Sequence, residues 1–114
     1  MLIGRQRGRL LTVLTLAPKK PWAIDPTYFS PSKRPLYLTD MAVAVRFQGR
    51  GLGRQAMLDA RRVARAWPAD TMRLDAYDAE AGAGGFYAKC SFAERGKVVY
   101  RKTPLVYYEL RLEE

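Results

Sequence analysis

The stretch best suited to hold a charged group is Gln48-Gly49-Arg50-Gly51-Leu52-Gly53. An apolar run, Met41-Ala42-Val43-Ala44-Val45, precedes it and a pattern with helical spacing follows, so a strand feeds a glycine-rich turn that opens a helix. The first N–H groups of a helix lack partners within it, and the macrodipole adds partial positive charge, so such a junction is a ready anion site. Glycine lets the backbone approach a phosphate with no Cβ in the way. Arg46, Arg50 and Arg54 add formal charge nearby. The turn is not a Walker loop, because no Gly-Lys-Ser/Thr follows it. Its glycines, at 49, 51 and 53, do not fit the G-x-G-x-x-G dinucleotide pattern either. On these residues alone, a tight turn with a solvated basic rim competes with the anion site.

The remaining inventory excludes several chemistries. Histidine is absent, which removes Ser-His-Asp and Cys-His nucleophilic arrangements and most zinc sites. A single cysteine, Cys90, allows no internal disulfide and fits a reducing cytoplasm, where the chain is expected to reside; no metal is expected. A net charge of +9 favours anionic partners such as nucleic acid, a phosphorylated cofactor or an acidic surface. With 114 residues, 48% of them hydrophobic and 27% charged, residues 1–114 read as one packed domain. No apolar run is long enough to cross a bilayer, and Met1–Arg7 lacks the apolar block of a signal peptide.

The elements that must position the turn follow from pattern. Leu10–Leu16 reads as a strand ended by Pro18, and the prolines at 18, 21, 26, 31 and 35 make residues 18–36 a Pro-rich loop. Its aromatics Trp22, Tyr28 and Phe29 are expected to pack on the domain. Tyr37–Val45 is nearly continuous in apolar character, as in a strand covered on both faces. Asp40 interrupts it, and a carboxylate there must be paired or sit at an opening. From Gly51 to Trp67, Leu52, Ala56, Met57, Ala60, Val63, Ala64 and Trp67 recur at helical spacing, and Pro68 stops the helix. Residues 41–67 thus form a strand-turn-helix unit. Its arginines lack interleaved aromatics for base stacking, so they read as a solvated face and nucleic acid is not the expected partner. Thr71–Tyr77 is a third strand, Ala81–Cys90 a short helix, and Phe92, Val98–Tyr100 and Leu105–Leu112 supply closing strands around a turn at Lys102-Thr103-Pro104.

These residues also carry a resemblance. Met41-Ala42-Val43 followed by Gln48–Gly53 resembles the acetyl-CoA-binding signature of the GCN5-related N-acetyltransferase (GNAT) superfamily, Q/R-x-x-G-x-G/A after a strand ending in L-A-V. Gly85-Phe86-Tyr87-Ala88-Lys89-Cys90-Ser91-Phe92 is similar to its F-Y-x-K-x-G-F segment, in the same order along the chain. The resemblance implies an α/β fold with a mixed, mostly antiparallel twisted sheet flanked by helices, N-terminally shortened because the family's usual first strand and two helices are missing.

It implies acetyl-CoA as co-substrate and direct attack of a primary amine on its thioester. The diphosphate would rest on backbone N–H groups of Gly49, Gly51, Gly53 and Arg54, with Gln48, Arg50 and Leu52 in the same turn. The pantetheine arm would lie along Met41, Ala42 and Val43, where that strand and the next must splay apart. Tyr87 matches the general-acid position, and Asp40 is the candidate base, with Glu109 the weaker alternative. Glu80 stands where the family often has an asparagine, and Ser91 replaces the glycine of G-F. The acceptor would be a small-molecule or protein amine, with no membrane partner and a homodimer as one possible arrangement. An impaired acyl-CoA-binding domain and a basic nucleic-acid-binding module are the competing readings. Replacing Gly51 or Gly53 with a bulky residue should abolish acetyl-CoA binding in calorimetric titration while the thermal melt still shows a folded domain; retained affinity contradicts the phosphate-turn assignment.

Overall fold

The computed structural model describes residues 2–6, 9–43, 52–78 and 84–112. Six strands form one sheet: β1 (Leu2–Gln6), β2 (Arg9–Ala17), β3 (Pro35–Val43), β4 (Thr71–Tyr77), β5 (Ala93–Tyr100) and β6 (Thr103–Arg111), in spatial order β1-β2-β3-β4-β6-β5. Every neighbouring pair is antiparallel except β3–β4, which is parallel and joined through helix α1 (Leu52–Ala66). A second helix, α2 (Gly84–Lys89), lies between β4 and β5. The mixed, mostly antiparallel sheet with flanking helices is therefore as expected. Strand β1 was not anticipated: its five residues are too short to show a pattern, and only pairing with β2 makes them a strand. Among the described residues, no helix is long and apolar enough to cross a membrane.

Both helices cover the same face. Ala56, Met57, Ala60 and Ala64 form a buried stripe on α1, and their small side chains let the helix sit close to β2 and β3, in one core with Met72, Leu74 and Ala76 of β4. Two residues expected on that stripe are exposed. At about 100° per residue Val63 falls on its shoulder, and Trp67 lies past the last helical residue, leaving them 38% and 56% exposed. Tyr87, Cys90 and Phe92 close the core at its other end. The closing hairpin turns at Arg101-Lys102, one residue earlier than the pattern suggested, with φ of 49° and 68°. Positive φ at both central residues matches the strand twist, so Thr103 and Pro104 are released into β6.

The Pro-rich connection occupies the opposite face and is fastened along its length. Ile24 and Phe29 bury against Tyr37 and Tyr107. The Tyr107 hydroxyl donates to the Ala23 carbonyl at 2.6 Å and accepts from the Asp25 amide at 3.0 Å. Tyr28 meets Tyr107 edge-on and lies across Gly96, where a Cβ would come within 2.6 Å of its ring. Asp70 accepts hydrogen bonds from the Ser32 hydroxyl and the amides of Lys33 and Arg34. The expectation for the aromatics holds for Phe29 and in part for Tyr28, whereas Trp22 is 86% exposed.

The strongest fastening is buried. Glu109 accepts from the Ser30 amide and hydroxyl at 3.1 and 2.6 Å and lies 3.9 Å from Nε of Arg73. Arg73 in turn donates to the Ser30 carbonyl at 2.9 Å and stacks over Phe29. Glu109 is thus committed to holding the connection, which removes it as a candidate base. Glu109→Ala takes away the acceptor for Ser30 and leaves the Arg73 charge uncompensated, so it should lower stability by about 3–5 kcal/mol in urea titration; an effect below about 1 kcal/mol contradicts this role.

Candidate active site

Strands β3 and β4 pair at only three positions, Pro35↔Thr71, Leu36↔Met72 and Tyr37↔Arg73. Past that rung β3 stays with β2, and β4 stays with β6 through Tyr77↔Leu105. Among the described residues, the edges that face each other across the gap therefore carry no strand partner. This is the splay expected from the resemblance. The last rung is cross-tied, because Nη1 of Arg73 donates to the Tyr37 hydroxyl at 3.0 Å. On the far side of β3 the register slips between Thr15↔Thr39 and Val13↔Ala42, so Asp40 and Met41 together oppose Leu14. Such a bulge bends its strand away from the partner it leaves. Unpaired main-chain groups need partners, and an extended amide-bearing molecule can supply them as an added strand.

The backbone of Met41, Ala42 and Val43 thus lies in the open stretch of β3, and Asp40 at its bulge. The side chains of these four residues, and all of Gln48, Gly49, Arg50 and Gly51, lie outside the described residues, as does Glu80. Leu52, Gly53 and Arg54 form the first turn of α1, which is the helix mouth the sequence pattern requires.

Tyr87 sits on α2, buried between Phe86, Phe92 and Tyr108, with ring centroids 5.4 to 5.8 Å away. Burial pushes its phenol above the ordinary value of 10.0, and the Asp75 carboxylate and Cys90 push in the same direction. Tyr87 therefore keeps its proton throughout the neutral range and can act only as a donor there. Cys90 is buried, which raises its thiol against the opposing influence of Arg54 and Arg61. A buried, protonated thiol packs as a small apolar group and is a poor nucleophile.

Asp75 is the residue that sequence reading passed over. It lies two positions beyond the last β3–β4 rung, beside Tyr107 and on the face opposite the helices. It is half-buried, and among the described residues it has no ion pair. Burial raises its carboxyl above 3.8, offset in part by a hydrogen bond from its own amide. The signal was available: a carboxylate between Leu74 and Ala76 in a buried strand carries the same cost that drew attention to Asp40. What singles it out is the gap it faces.

Residues 8–92 match the Acetyltransferase (GNAT) family. No curated protein matches the sequence. Among solved structures, an N-acetyltransferase from Staphylococcus aureus Mu50 superposes with a TM-score of 0.72 at 20% identity, covering 97% of this chain and 66% of that one. A structure from Bacillus anthracis str. Ames, in complex with acetyl coenzyme A, gives 0.73 at 19% identity, with coverages of 96% and 60%. An aminoglycoside 6′-N-acetyltransferase complexed with coenzyme A gives 0.75 at 9% identity, with coverages of 98% and 72%. At these identities the likeness is one of fold, and the chain spans 60% to 72% of the length of these structures.

Removing the Asp75 charge by Asp75→Asn should lower the Tyr87 pKa while burial keeps it above 10.0. Titration of ring-labelled tyrosine followed by NMR checks this, and an unmoved Tyr87 resonance would separate the two groups.

Proposed function

The chain belongs to the acetyltransferase (GNAT) family, and on that premise we propose that it moves an acetyl group from acetyl-CoA to a primary amine of a small molecule or protein. One observation carries this reading: the parting of β3 and β4 just past Tyr37 and Arg73, with the mouth of α1 following β3 in sequence. The main-chain edge of Met41, Ala42 and Val43 suits the amides of a pantetheine arm. The N–H groups of Gly49, Gly51, Gly53 and Arg54, flanked by Gln48 and Arg50, suit a diphosphate. Support also comes from solved structures of this fold that hold coenzyme A or acetyl coenzyme A.

Acetyl-CoA supplies the thioester, whose carbonyl carbon forms a bond to the amine nitrogen while its bond to sulfur breaks. The chain has three tasks around that exchange. The N–H of Ala42 or Val43 donates to the carbonyl oxygen as negative charge grows there. Asp75, across the gap on β4, or Asp40 at the bulge takes a proton from the incoming ammonium group, directly or through water. The Tyr87 hydroxyl gives its proton to the departing thiolate, a modestly uphill transfer from a phenol to a thiol of reference pKa about 8.5. The second proton shed by the nitrogen as the amide forms restores the phenol through water. No covalent intermediate on the protein is required, which agrees with the absence of histidine and the buried Cys90.

Tyr87→Phe should reduce kcat by about 10²-fold or more while the acetyl-CoA Kd stays within about twofold; an unchanged kcat returns Tyr87 to packing. A base with a carboxyl raised above 3.8 works only when ionised, so kcat/KM should fall as pH drops through that raised value. Asp75→Asn should remove this acidic limb together with most of the activity. An unaltered pH profile would instead assign the base to Asp40.

A further inference from the structure

A cleft of about 60 Å³ lies between α1 and the end of α2, bounded by Arg54, Leu58, Arg61, Lys89, Cys90 and Ser91. It brings three cations together, and among the described residues no carboxylate lines it. The one ion pair on α1 among the described residues, Arg62–Asp59, uses neither Arg54 nor Arg61. Both guanidinium groups act on the Cys90 thiol, so they converge on the cleft. Nε of Arg61 is buried with no hydrogen-bond partner. A buried donor left without an acceptor is costly, and three like charges around one small cleft add to that cost. Both costs fall if an anion sits there.

The size and position of the cleft narrow the choice. At roughly 15 Å³ per water it has room for about four waters, enough for a phosphate group and too little for a purine. Arg54 belongs to the first turn of α1, at the mouth assigned above to a diphosphate. Arg61 lies about 10 Å farther along the helix axis. In coenzyme A the ribose phosphate lies one sugar away from the diphosphate, so a diphosphate held at that mouth brings it within reach of this flank. A phosphomonoester bears between about 1.5 and 2 negative charges at neutral pH, which suits three cations better than a carboxylate would.

We propose that the Arg54–Arg61–Lys89 cleft binds the ribose 3′-phosphate of coenzyme A, with Arg61 and Lys89 as its selective contacts. This rests on the acetyl-CoA reading above and adds to it a residue set on α1 and α2 that distinguishes coenzyme A from its 3′-dephospho form. Ser91, the departure from the family's G-F, adds a hydroxyl at the rim of the cleft.

The test is calorimetric titration of the intact chain, at one fixed ionic strength, with acetyl-CoA and with acetyl-dephospho-CoA. The unaltered protein should bind acetyl-CoA at least tenfold more tightly, the ratio expected of one charge-assisted contact to a phosphate. Arg61→Met and Lys89→Met, each checked by thermal melting, should weaken acetyl-CoA while leaving the dephospho analogue within about twofold, collapsing the ratio. Equal affinity of the unaltered protein for the two ligands overturns the proposal, as do variants that weaken both ligands alike. If neither ligand binds, the acetyl-CoA reading fails and the cleft assignment fails with it.

Discussion

At the last rung shared by β3 and β4, Arg73 donates to the hydroxyl of Tyr37, and its guanidinium also lies over Phe29 and close to Glu109. This buried contact ties the last rung that the two parallel strands share. Below it the ladder is closed. Above it each strand keeps only its outer neighbour, and a row of main-chain donors and acceptors faces a gap. The bulge at Asp40 and Met41 bends β3 in this same stretch. A parallel pair that zipped up along its whole length would bury those groups against each other and leave nothing for a ligand to satisfy.

The sheet separates two kinds of work. On the helix side, a core of alanines, leucines and aromatics sets the mouth of α1 and the Tyr87 hydroxyl relative to the gap. On the other side, the Pro-rich connection is pressed onto β4, β5 and β6 by Tyr107, Glu109 and Asp70. Asp75 belongs to that second face, yet its charge helps to raise the Tyr87 phenol on the other.

Charge is distributed along the same lines. Arg54 and Arg61 line the cleft toward α2, while Arg62 turns outward to Asp59. Part of the net charge of +9 thus gathers on one flank of one helix, at the cleft proposed to take a phosphate. A uniformly basic surface would attract polyanions without discrimination.

Much of this fold could be read from the chain itself. Thr71–Tyr77 was bounded correctly, and the helix expected from Gly51 to Trp67 runs from Leu52 to Ala66. Both are long periodic segments whose pattern is set by which face is buried, and periodicity is a local property. The position of Tyr87 on a short helix was legible for the same reason, while the turn between Val43 and Leu52 lies outside the described residues. Three things were decided only by tertiary structure. Asp75, Arg61 and Glu109 look alike in a linear reading, as charged residues on ordinary strands and helices. Pairing across the sheet ties Glu109 to Ser30 and Arg73, sets Asp75 beside an open gap, and leaves Arg61 with a buried donor. The physical reason is range: burial periodicity repeats within a few residues, whereas the partner of a buried charge lies tens of residues away, as Ser30 lies from Glu109. Sequence alone determined what each element would be. Only the packed sheet determined which charges are satisfied and which remain open to a ligand.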